Sequence, residues 1–340
     1  MYRCLELAKL GAGNVAPNPM VGAVLLHAGR IIGEGYHEQY GQAHAEVNCI
    51  NSVSEADMGL IEKSILYVSL EPCVHFGKTP PCTDLIIAKK IPNVVIACRD
   101  NYREVDGKGI QKLLSGGIQV ITGVLEKEAI ELNKRFFTFH TQHRPYIILK
   151  WAQSCDNKIA NIDFSRVFIS NEQSNRLVHK WRSEEAAVLA GTNTALHDDP
   201  SLTTRLWPGN NPVRLVVDME LKLPGTLRIF DGVAKTIVFN QLKEEEGSKI
   251  SWYKLLAGKS IIPQITNALY KLNIQSVIVE GGAKLLQSFI DENCWDEARI
   301  IINDQLLTGK GISAPVLNAG TLISTHKILS DRITIYRRAM

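Results

Sequence analysis

The 340-residue chain lacks the features that mark several large classes of protein. No apolar run reaches the length of a membrane span, and the first residues lead into a helical pattern rather than a signal peptide. The formal net charge of +3 is too small by itself to indicate a nucleic-acid or membrane partner. Internal repeats and low-complexity tracts are absent. The sequence therefore predicts a globular protein long enough for two domains with separate cores.

Cysteine is too sparse for a disulfide framework. The seven cysteines are odd in number and scattered along the chain, unlike the dense pattern of small secreted domains. We expect five of them to be reduced thiols in a cytoplasmic protein. These five are Cys4, Cys49, Cys98, Cys155 and Cys294. The remaining two belong to a stretch with different chemistry.

The stretch from residue 44 to residue 82 predicts a catalytic zinc site. One imidazole and two thiolates, from His44, Cys73 and Cys82, make three protein ligands, the number that zinc takes when its fourth position stays open. Glu46 follows the histidine closely enough to move protons without binding the metal. Zinc base deaminases use this arrangement. A structural metal or ordinary buried thiols remain the alternative, although structural zinc usually has four protein ligands.

Local patterns place these residues on elements of secondary structure. Apolar residues at helical spacing predict that His44 and Glu46 lie on an amphipathic helix, and residues 66–70 form a strand. A proline precedes each metal-binding cysteine, so we expect both Cys73 and Cys82 to open helices, whose dipoles stabilise thiolates. Helices alternate with strands through both halves of the chain, which predicts an α/β fold.

Eight residues separate the two cysteines, whereas the general deaminase signature has two. The chain resembles the bifunctional deaminase/reductase family of riboflavin biosynthesis in Glu71-Pro72-Cys73-x-His75-x-Gly77-x-Thr79-Pro80-Pro81-Cys82 and in Pro17-Asn18-Pro19-x-Val21-Gly22. The resemblance implies an N-terminal cytidine-deaminase-like three-layer domain. It also implies that the substrate contacts Asn18, His37, Lys78 and Thr79. Taken alone, Asn18 is equally a turn residue and Lys78 a solvated loop cation.

A second motif lies in the other half, where an apolar strand runs into Glu280-Gly281-Gly282 and then a helix. The N–H groups of a helix start suit a cofactor phosphate, although a plain tight turn uses the same residues. No suitable G-x-G-x-x-G is present, so a Rossmann fold is not supported. The same family's reductase half is similar in Lys150-x-Ala152-x-Ser154-x-Asp156 and in Gly191-x-x-Thr194-x-x-x-Asp198-Asp199-Pro200-x-Leu202-Thr203-x-Arg205. This similarity implies a C-terminal dihydrofolate-reductase-like domain that uses NADPH.

The resemblance also assigns site residues in this half. Those expected to bind the cofactor are Ala152, Phe168, Thr194, Asp198, Gly281, Gly282, Ala283, Lys284, Leu285, Leu286, Gln287 and Ser288. Those expected to face the substrate are Lys150, Arg182, Leu202, Arg205 and Glu280. Guanidinium groups bind phosphate through paired hydrogen bonds, which suits a phosphorylated sugar. Without the resemblance, Arg182 is equally a solvated helix end, and Asp198-Asp199-Pro200 a turn.

We predict a zinc-dependent deaminase domain over residues 1–143 and an NADPH-dependent reductase domain over 144–340, with the boundary in the polar segment 141–145. The expected reactions are hydrolytic deamination of a diaminopyrimidinone ribosylamine 5′-phosphate and then reduction of its ribosyl group to ribityl. The expected partner is this small phosphorylated pyrimidine, with neither nucleic acid nor membrane, and a homo-oligomer stays open. Three alternatives compete: a tRNA or nucleoside deaminase, a deaminase with a regulatory second half, and a zinc-stabilised scaffold, which leaves Glu46 unexplained.

Three further elements are predicted from local pattern alone. Residues 126–137 read as one helix leading out of the first domain, and Ser170 as the cap of a helix that runs through Arg182. Residues 327–336 read as a single late strand.

Overall fold

The computed structural model describes residues 1–77, 80–102, 105–163, 165 and 167–339. The chain divides into two compact units, Met1–His143 and Arg144–Met340. Across the described ranges, none of the helices combines the length and the apolar character needed to cross a bilayer.

The first unit is built on a five-stranded mixed sheet. Its strands are β1 (Gly22–His27), β2 (Arg30–Tyr36), β3 (Ile65–Val68), β4 (Asn93–Ile96) and β5 (Gln119–Thr122). Its helices are α1 (Tyr2–Lys9), α2 (Ala45–Asn51), α3 (Cys82–Ala88), α4 (Lys108–Ser115), α5 (Glu126–Leu132) and α6 (Lys134–Gln142), with a 3-10 helix at Glu55–Lys63. The strand order is β2-β1-β3-β4-β5, in which β1 is antiparallel to both neighbours and the last three strands are parallel.

The core of this unit fixes the two helices that carry the metal motif. Alternate residues of the strands, such as Leu25 and Leu66, are fully buried, because successive side chains of a strand point to opposite faces. They share one apolar cluster with Ile50 of α2 and Ile86 of α3. Both helices therefore pack on the same face of the sheet.

The predicted helix over 126–137 is wrong in its extent, because Asn133 divides it into α5 and α6. The Asn133 side chain is buried and exchanges two hydrogen bonds with the backbone of Met20, at 2.8 and 2.9 Å. A side chain that bonds the backbone of another segment competes with regular helix geometry. The helix α6 continues through Gln142, so the segment 141–145 is partly helical.

The second unit contains a nine-stranded sheet with a separate two-stranded ribbon. Its strands are β6 (Tyr146–Ser154), β7 (Lys158–Asn161), β8 (Ala187–Ala190), β9 (Val213–Val217), β10 (Thr236–Asn240), β11 (Ile250–Lys254), β12 (Ser276–Val279), β13 (Glu297–Asn303), β14 (Gly311–Ser313), β15 (Thr321–Ile328) and β16 (Asp331–Arg337). Its helices are α7 (Glu172–Glu184), α8 (Thr192–Asp198), α9 (Ile261–Lys271) and α10 (Ala283–Asp291), with a 3-10 turn at Arg228–Phe230.

The large sheet has the order β11-β10-β9-β8-β12-β6-β13-β16-β15, and β7 pairs with β14. It is parallel from β11 to β13 and antiparallel at β16 and β15. Val277 and Val279 point into one apolar cluster and Ile278 into another, so both faces of the sheet are covered. Because β8 and β12 are parallel neighbours, the loops that follow them meet at the same edge.

Two local predictions in this unit are corrected. The cap of α7 is Asn171, not Ser170, since the Asn171 side-chain oxygen accepts the Ser174 N–H at 2.9 Å. The single strand predicted over 327–336 is wrong, because this segment contains the end of β15, a turn and most of β16. Leu329 lies in the turn and has φ +54°. An apolar residue in the left-handed region carries no turn signal, which is why the sequence pattern missed it.

Candidate active sites of the two units

The structure brings the predicted metal ligands together. The Nδ1 atom of His44 lies 3.5 Å from the sulfur of Cys73 and 3.4 Å from that of Cys82, and the three ligand atoms lie within 4.8 Å of one another. Zinc bonds of about 2.3 Å to sulfur and about 2.1 Å to nitrogen place tetrahedral ligands roughly 3.6 Å apart. The donor set therefore fits zinc. In the described part of the chain, the group of metal-binding side chains consists of these three residues.

Only one of the two cysteines opens a helix. Cys82 is the first residue of α3, as predicted, whereas Cys73 lies in an irregular loop. Helix formation after Cys73 is prevented because Gly77 and Pro80 interrupt the segment. The start of α3 nevertheless holds Cys73, since its sulfur accepts the Cys82 N–H at 3.3 Å and its carbonyl accepts the Thr83 N–H at 3.2 Å.

The electrostatics of the group favour a thiolate beside a protonatable carboxyl. Hydrogen bonds from Cys82 and from His44 lower the pKa of Cys73, although burial opposes them. Glu46 is 3% exposed, and burial followed by repulsion from Cys73 raises its pKa. It also makes a side-chain hydrogen bond with Cys82, so its carboxyl lies beside the metal ligands. A carboxyl with a raised pKa can hold and release a proton near neutral pH.

Glu71 is a residue of the motif to which sequence reasoning assigned no role. Its carboxylate is 4% exposed and accepts four main-chain N–H groups. One oxygen accepts those of Gly109 and Ile110, at 2.9 and 3.1 Å, and the other those of Asp100 and Gly107, at 3.2 and 3.1 Å. Glu71 therefore ties the loop that carries Cys73 to the start of α4.

Two of the residues predicted to contact the pyrimidine lie next to the metal group. The ring of His37 packs edge-on against that of His44, with centroids 5.3 Å apart. His37 Nδ1 lies 3.0 Å from the Ala43 carbonyl and must donate to it, so Nε2 accepts the Asn18 amide N–H at 3.1 Å. Burial lowers the pKa of His37, which keeps this ring neutral. The predicted contacts Lys78 and Thr79 lie outside the described residues.

In the second unit, most predicted site residues surround one cavity of 840 Å³. Those lining it are Lys150, Ala152, Phe168, Arg182, Thr194, Asp198, Leu202, Arg205, Glu280, Gly281, Gly282, Ala283, Lys284, Leu285, Leu286 and Ser288. Gln287 is not in this lining, so the structure gives its expected cofactor contact no support. It bonds Asp291 and the backbone of Val316 instead, because the helical turn of 100° per residue directs it away from the cavity.

A largely buried network of charged side chains lies in the cavity wall. Glu280 accepts two hydrogen bonds from Arg182, at 2.7 and 2.8 Å, and the Lys150 ammonium lies 3.6 Å away. Burial alone would raise the pKa of Glu280, but attraction to Arg182 and Lys150 outweighs it and lowers the pKa to about 2. Burial lowers the pKa of Lys150. The Arg182 side chain is 12% exposed, which excludes the solvated helix end.

The two loops at the ends of β8 and β12 approach each other closely. A Cβ atom on Gly281 would lie 2.6 Å from the backbone nitrogen of Gly191, so only glycine fits there. The Thr194 hydroxyl accepts the Gly282 N–H at 2.7 Å and fastens the start of α10 to α8. The helix starts of α8 and α10 thus border the cavity together, an arrangement suited to a cofactor phosphate.

One cavity residue that sequence reasoning did not select is His179. It is 5% exposed, lines the cavity, and accepts the Arg205 N–H on Nδ1 at 3.0 Å. The available signal was its position three residues before Arg182, which places both on one helix face.

Comparisons with known proteins agree with this geometry. Residues 1–98 match the model for the cytidine and deoxycytidylate deaminase zinc-binding region, and residues 145–325 match that for the RibD C-terminal domain. The riboflavin biosynthesis protein RibD of Aquifex aeolicus is 40% identical over 98% of this chain and 94% of its own length. That of Escherichia coli is 33% identical over 90% of this chain and 87% of its own.

Solved structures agree as well. A diaminohydroxyphosphoribosylaminopyrimidine deaminase/5-amino-6-(5-phosphoribosylamino)uracil reductase from Thermotoga maritima superposes with a TM-score of 0.91 at 38% identity, covering 100% of this chain and 97% of that one. RibD of Acinetobacter baumannii superposes with a TM-score of 0.89 at 28% identity, covering 100% and 98%.

Proposed function

Because this chain belongs to the RibD family of bifunctional deaminase/reductases in riboflavin biosynthesis, we propose that its two units catalyse successive steps on one phosphorylated pyrimidine. The first unit removes an amino group from the pyrimidine of a diaminopyrimidinone ribosylamine 5′-phosphate. The second reduces the opened ribosyl group of the aminouracil product to ribityl with NADPH. The observation that carries the proposal is the pairing of a buried Glu46 with three convergent metal ligands.

In the deaminase site, His44, Cys73 and Cys82 would hold zinc, which when bound supplies the Lewis acidity that makes water a nucleophile at neutral pH. Glu46 holds a proton on its buried carboxyl and delivers it to the departing ammonia. Asn18 reads the edge of the pyrimidinone, because one of its amide N–H groups donates to His37 and its amide oxygen can accept a hydrogen bond from the ring.

In the reductase site, NADPH when bound supplies the hydride, and the protein supplies a proton and a phosphate contact. Lys150 is 13% exposed, lies beside Glu280 and has a lowered pKa, which suits delivery of a proton to the sugar oxygen as the carbonyl is reduced. Arg205 is bonded to Thr203 Oγ1 and has no carboxylate partner in the described part of the chain. Burial and the neighbouring Arg182 lower its pKa, so an anionic phosphate is the partner that this site favours.

The test follows both products in one reaction. We expect the protein to release ammonia from the diaminopyrimidine substrate and then to oxidise NADPH in the presence of the deaminated intermediate. Ammonia release without NADPH oxidation would indicate that the second unit is a regulatory module. A nucleic-acid gel shift would favour the tRNA deaminase alternative.

A substitution separates the two steps. Lys150→Ala should lose NADPH oxidation and retain ammonia release, because its ammonium serves only the second unit. Lys259→Ala, in which an exposed lysine of the same unit is changed, is the matched control. Near-normal reduction by Lys150→Ala would remove this residue from the site.

A cytoplasmic location is part of the proposal. All seven cysteines are free thiols in the structure, and a reducing compartment keeps thiols in this state.

A further inference from the structure

One face of α7 contributes three polar side chains to the wall of the reductase cavity. Asn175, His179 and Arg182 follow one another at intervals of four and three residues, so they lie on the same side of the helix, and all three line the cavity. Arg182 is committed to Glu280. His179, which lies between Asn175 and Arg182 on this face, is 5% exposed and has no role in the mechanism described above.

The hydrogen bond between His179 and Arg205 defines the protonation of the ring. The backbone N–H of Arg205 can only donate, so Nδ1 of His179 carries no proton, and the neutral ring has its hydrogen on Nε2. Burial and the positive charges of Arg182 and Arg205 lower the pKa of His179 to about 4, while a hydrogen bond with the backbone of Thr203 acts in the opposite direction. At neutral pH the ring is therefore an acceptor for this N–H.

The segment that His179 contacts has an unusual backbone. Leu202 has φ +49° and Asp199 φ +39°, both in the left-handed region that residues other than glycine seldom adopt. Such conformations persist only where surrounding contacts hold them. The buried side chain of Leu202 supplies one anchor, and the Arg182 guanidinium donates to the Thr203 carbonyl at 3.3 Å. His179 supplies the anchor at Arg205 itself.

We infer that His179 is a positioning residue for the reductase, which holds the backbone at Arg205 so that the guanidinium meets the phosphate of the substrate. The inference rests on the proposed function in one respect, namely that Arg205 binds this phosphate. Arg205 has few other restraints, since among the described residues its side chain bonds only to Thr203, within its own turn. Loss of the imidazole acceptor would release the turn and weaken binding of the phosphorylated sugar, without affecting the proton donor or the hydride.

The experiment compares His179→Asn with His179→Gln in the full-length protein. The oxygen of asparagine can occupy the position of Nδ1, whereas the longer glutamine places its polar atoms near Nε2 and leaves the Arg205 N–H without an acceptor. NADPH oxidation is measured with the deaminated intermediate and with its dephosphorylated counterpart. We expect His179→Gln to raise KM for the phosphorylated substrate about tenfold, as the loss of one buried hydrogen bond implies, with kcat nearly unchanged. His179→Asn should recover most of this loss, and KM for the dephosphorylated substrate should be the same in both variants.

Two controls distinguish failure of the inference from failure of the proposed function. Ammonia release by the same preparations reports whether the first unit is intact. Arg205→Ala tests the phosphate contact directly, and an unchanged KM for the phosphorylated substrate in this variant would remove the proposed role of Arg205. If Arg205→Ala raises that KM while the Asn and Gln variants of His179 behave alike, the inference is overturned. An equal rise in KM for both substrates in His179→Gln would overturn it too, because it would indicate a general packing role.

Discussion

Replacement of Glu71 by glutamine should destabilise the deaminase unit and loosen its hold on zinc, although Glu71 is not a metal ligand. Each carboxylate oxygen accepts two main-chain N–H groups at 2.9 to 3.2 Å in a buried environment. Glutamine turns one oxygen into an NH₂ group, which faces two donors in either orientation of the amide. Hydrogen bonds to a charged group contribute about 1.5–3 kcal/mol each, so the loss of two should cost about 3–6 kcal/mol.

That cost is a large fraction of the stability of a typical domain, roughly 5–15 kcal/mol. Because Glu71 lies two residues before Cys73, the same change frees the loop that carries one metal ligand. We therefore expect faster zinc release to a chromophoric chelator, a lower denaturation midpoint for the first unit, and reduced ammonia release. NADPH oxidation with the deaminated intermediate should be unchanged, which makes the second unit an internal control.

Glu62→Gln is the matched control, since Glu62 is exposed on the 3-10 helix of the same unit. Its zinc release and midpoint should equal those of the unmodified protein. The reasoning is refuted if Glu71→Gln also leaves both quantities unchanged, because four buried N–H groups would then have found other acceptors at no cost.

Three further changes test other parts of the two sites. Glu46→Gln should lower ammonia release by at least about 100-fold, the usual contribution of a general acid–base group, while metal analysis finds unchanged zinc; retained deamination would refute its role. Gly281→Ala should weaken NADPH binding, because its Cβ would lie 2.6 Å from the Gly191 nitrogen, whereas Gly225→Ala, where the added Cβ meets nothing within 4 Å, should bind NADPH normally in a titration. The pKa of Glu280 is about 2 in the folded state against an ordinary 4.5, so its contribution of roughly 3 kcal/mol is fully present above pH 4.5 and is lost as the pH falls toward 2. Urea denaturation should accordingly find Glu280→Gln less stable than the unmodified protein at pH 7, with a gap that narrows below pH 4.5; a gap independent of pH would contradict this assignment.

Much of the secondary structure follows from local pattern, because period-two burial and helical spacing depend on neighbours in sequence. The strand predicted over 66–70 is confirmed as β3, although β3 ends at Val68. Errors arose where a distant contact overrides the pattern. Asn133 ends a helix because its side chain bonds Met20, which lies 113 residues earlier. Such a contact cannot be read from the residues around Asn133.

The sequence alone determined the chemistry of the metal group, because residue type and spacing specify which side chains can be zinc ligands and which can move a proton. The convergence of His44, Cys73 and Cys82 was expected on that basis, and the structure confirms it. The position of Cys73 in a loop was not expected. It is stabilised there because N–H groups at the start of α3 donate hydrogen bonds to its sulfur and its carbonyl.

Only the tertiary structure decided which buried side chains hold the site residues in place through hydrogen bonds to the main chain. Glu71 bonds main-chain groups 29 to 39 residues away, and His179 bonds the backbone of Arg205, 26 residues away. Main-chain N–H groups are present at almost every residue, so the sequence carries no signal for which of them a buried side chain will meet. Folding selects these pairs, because a buried polar group that lacks a partner costs free energy.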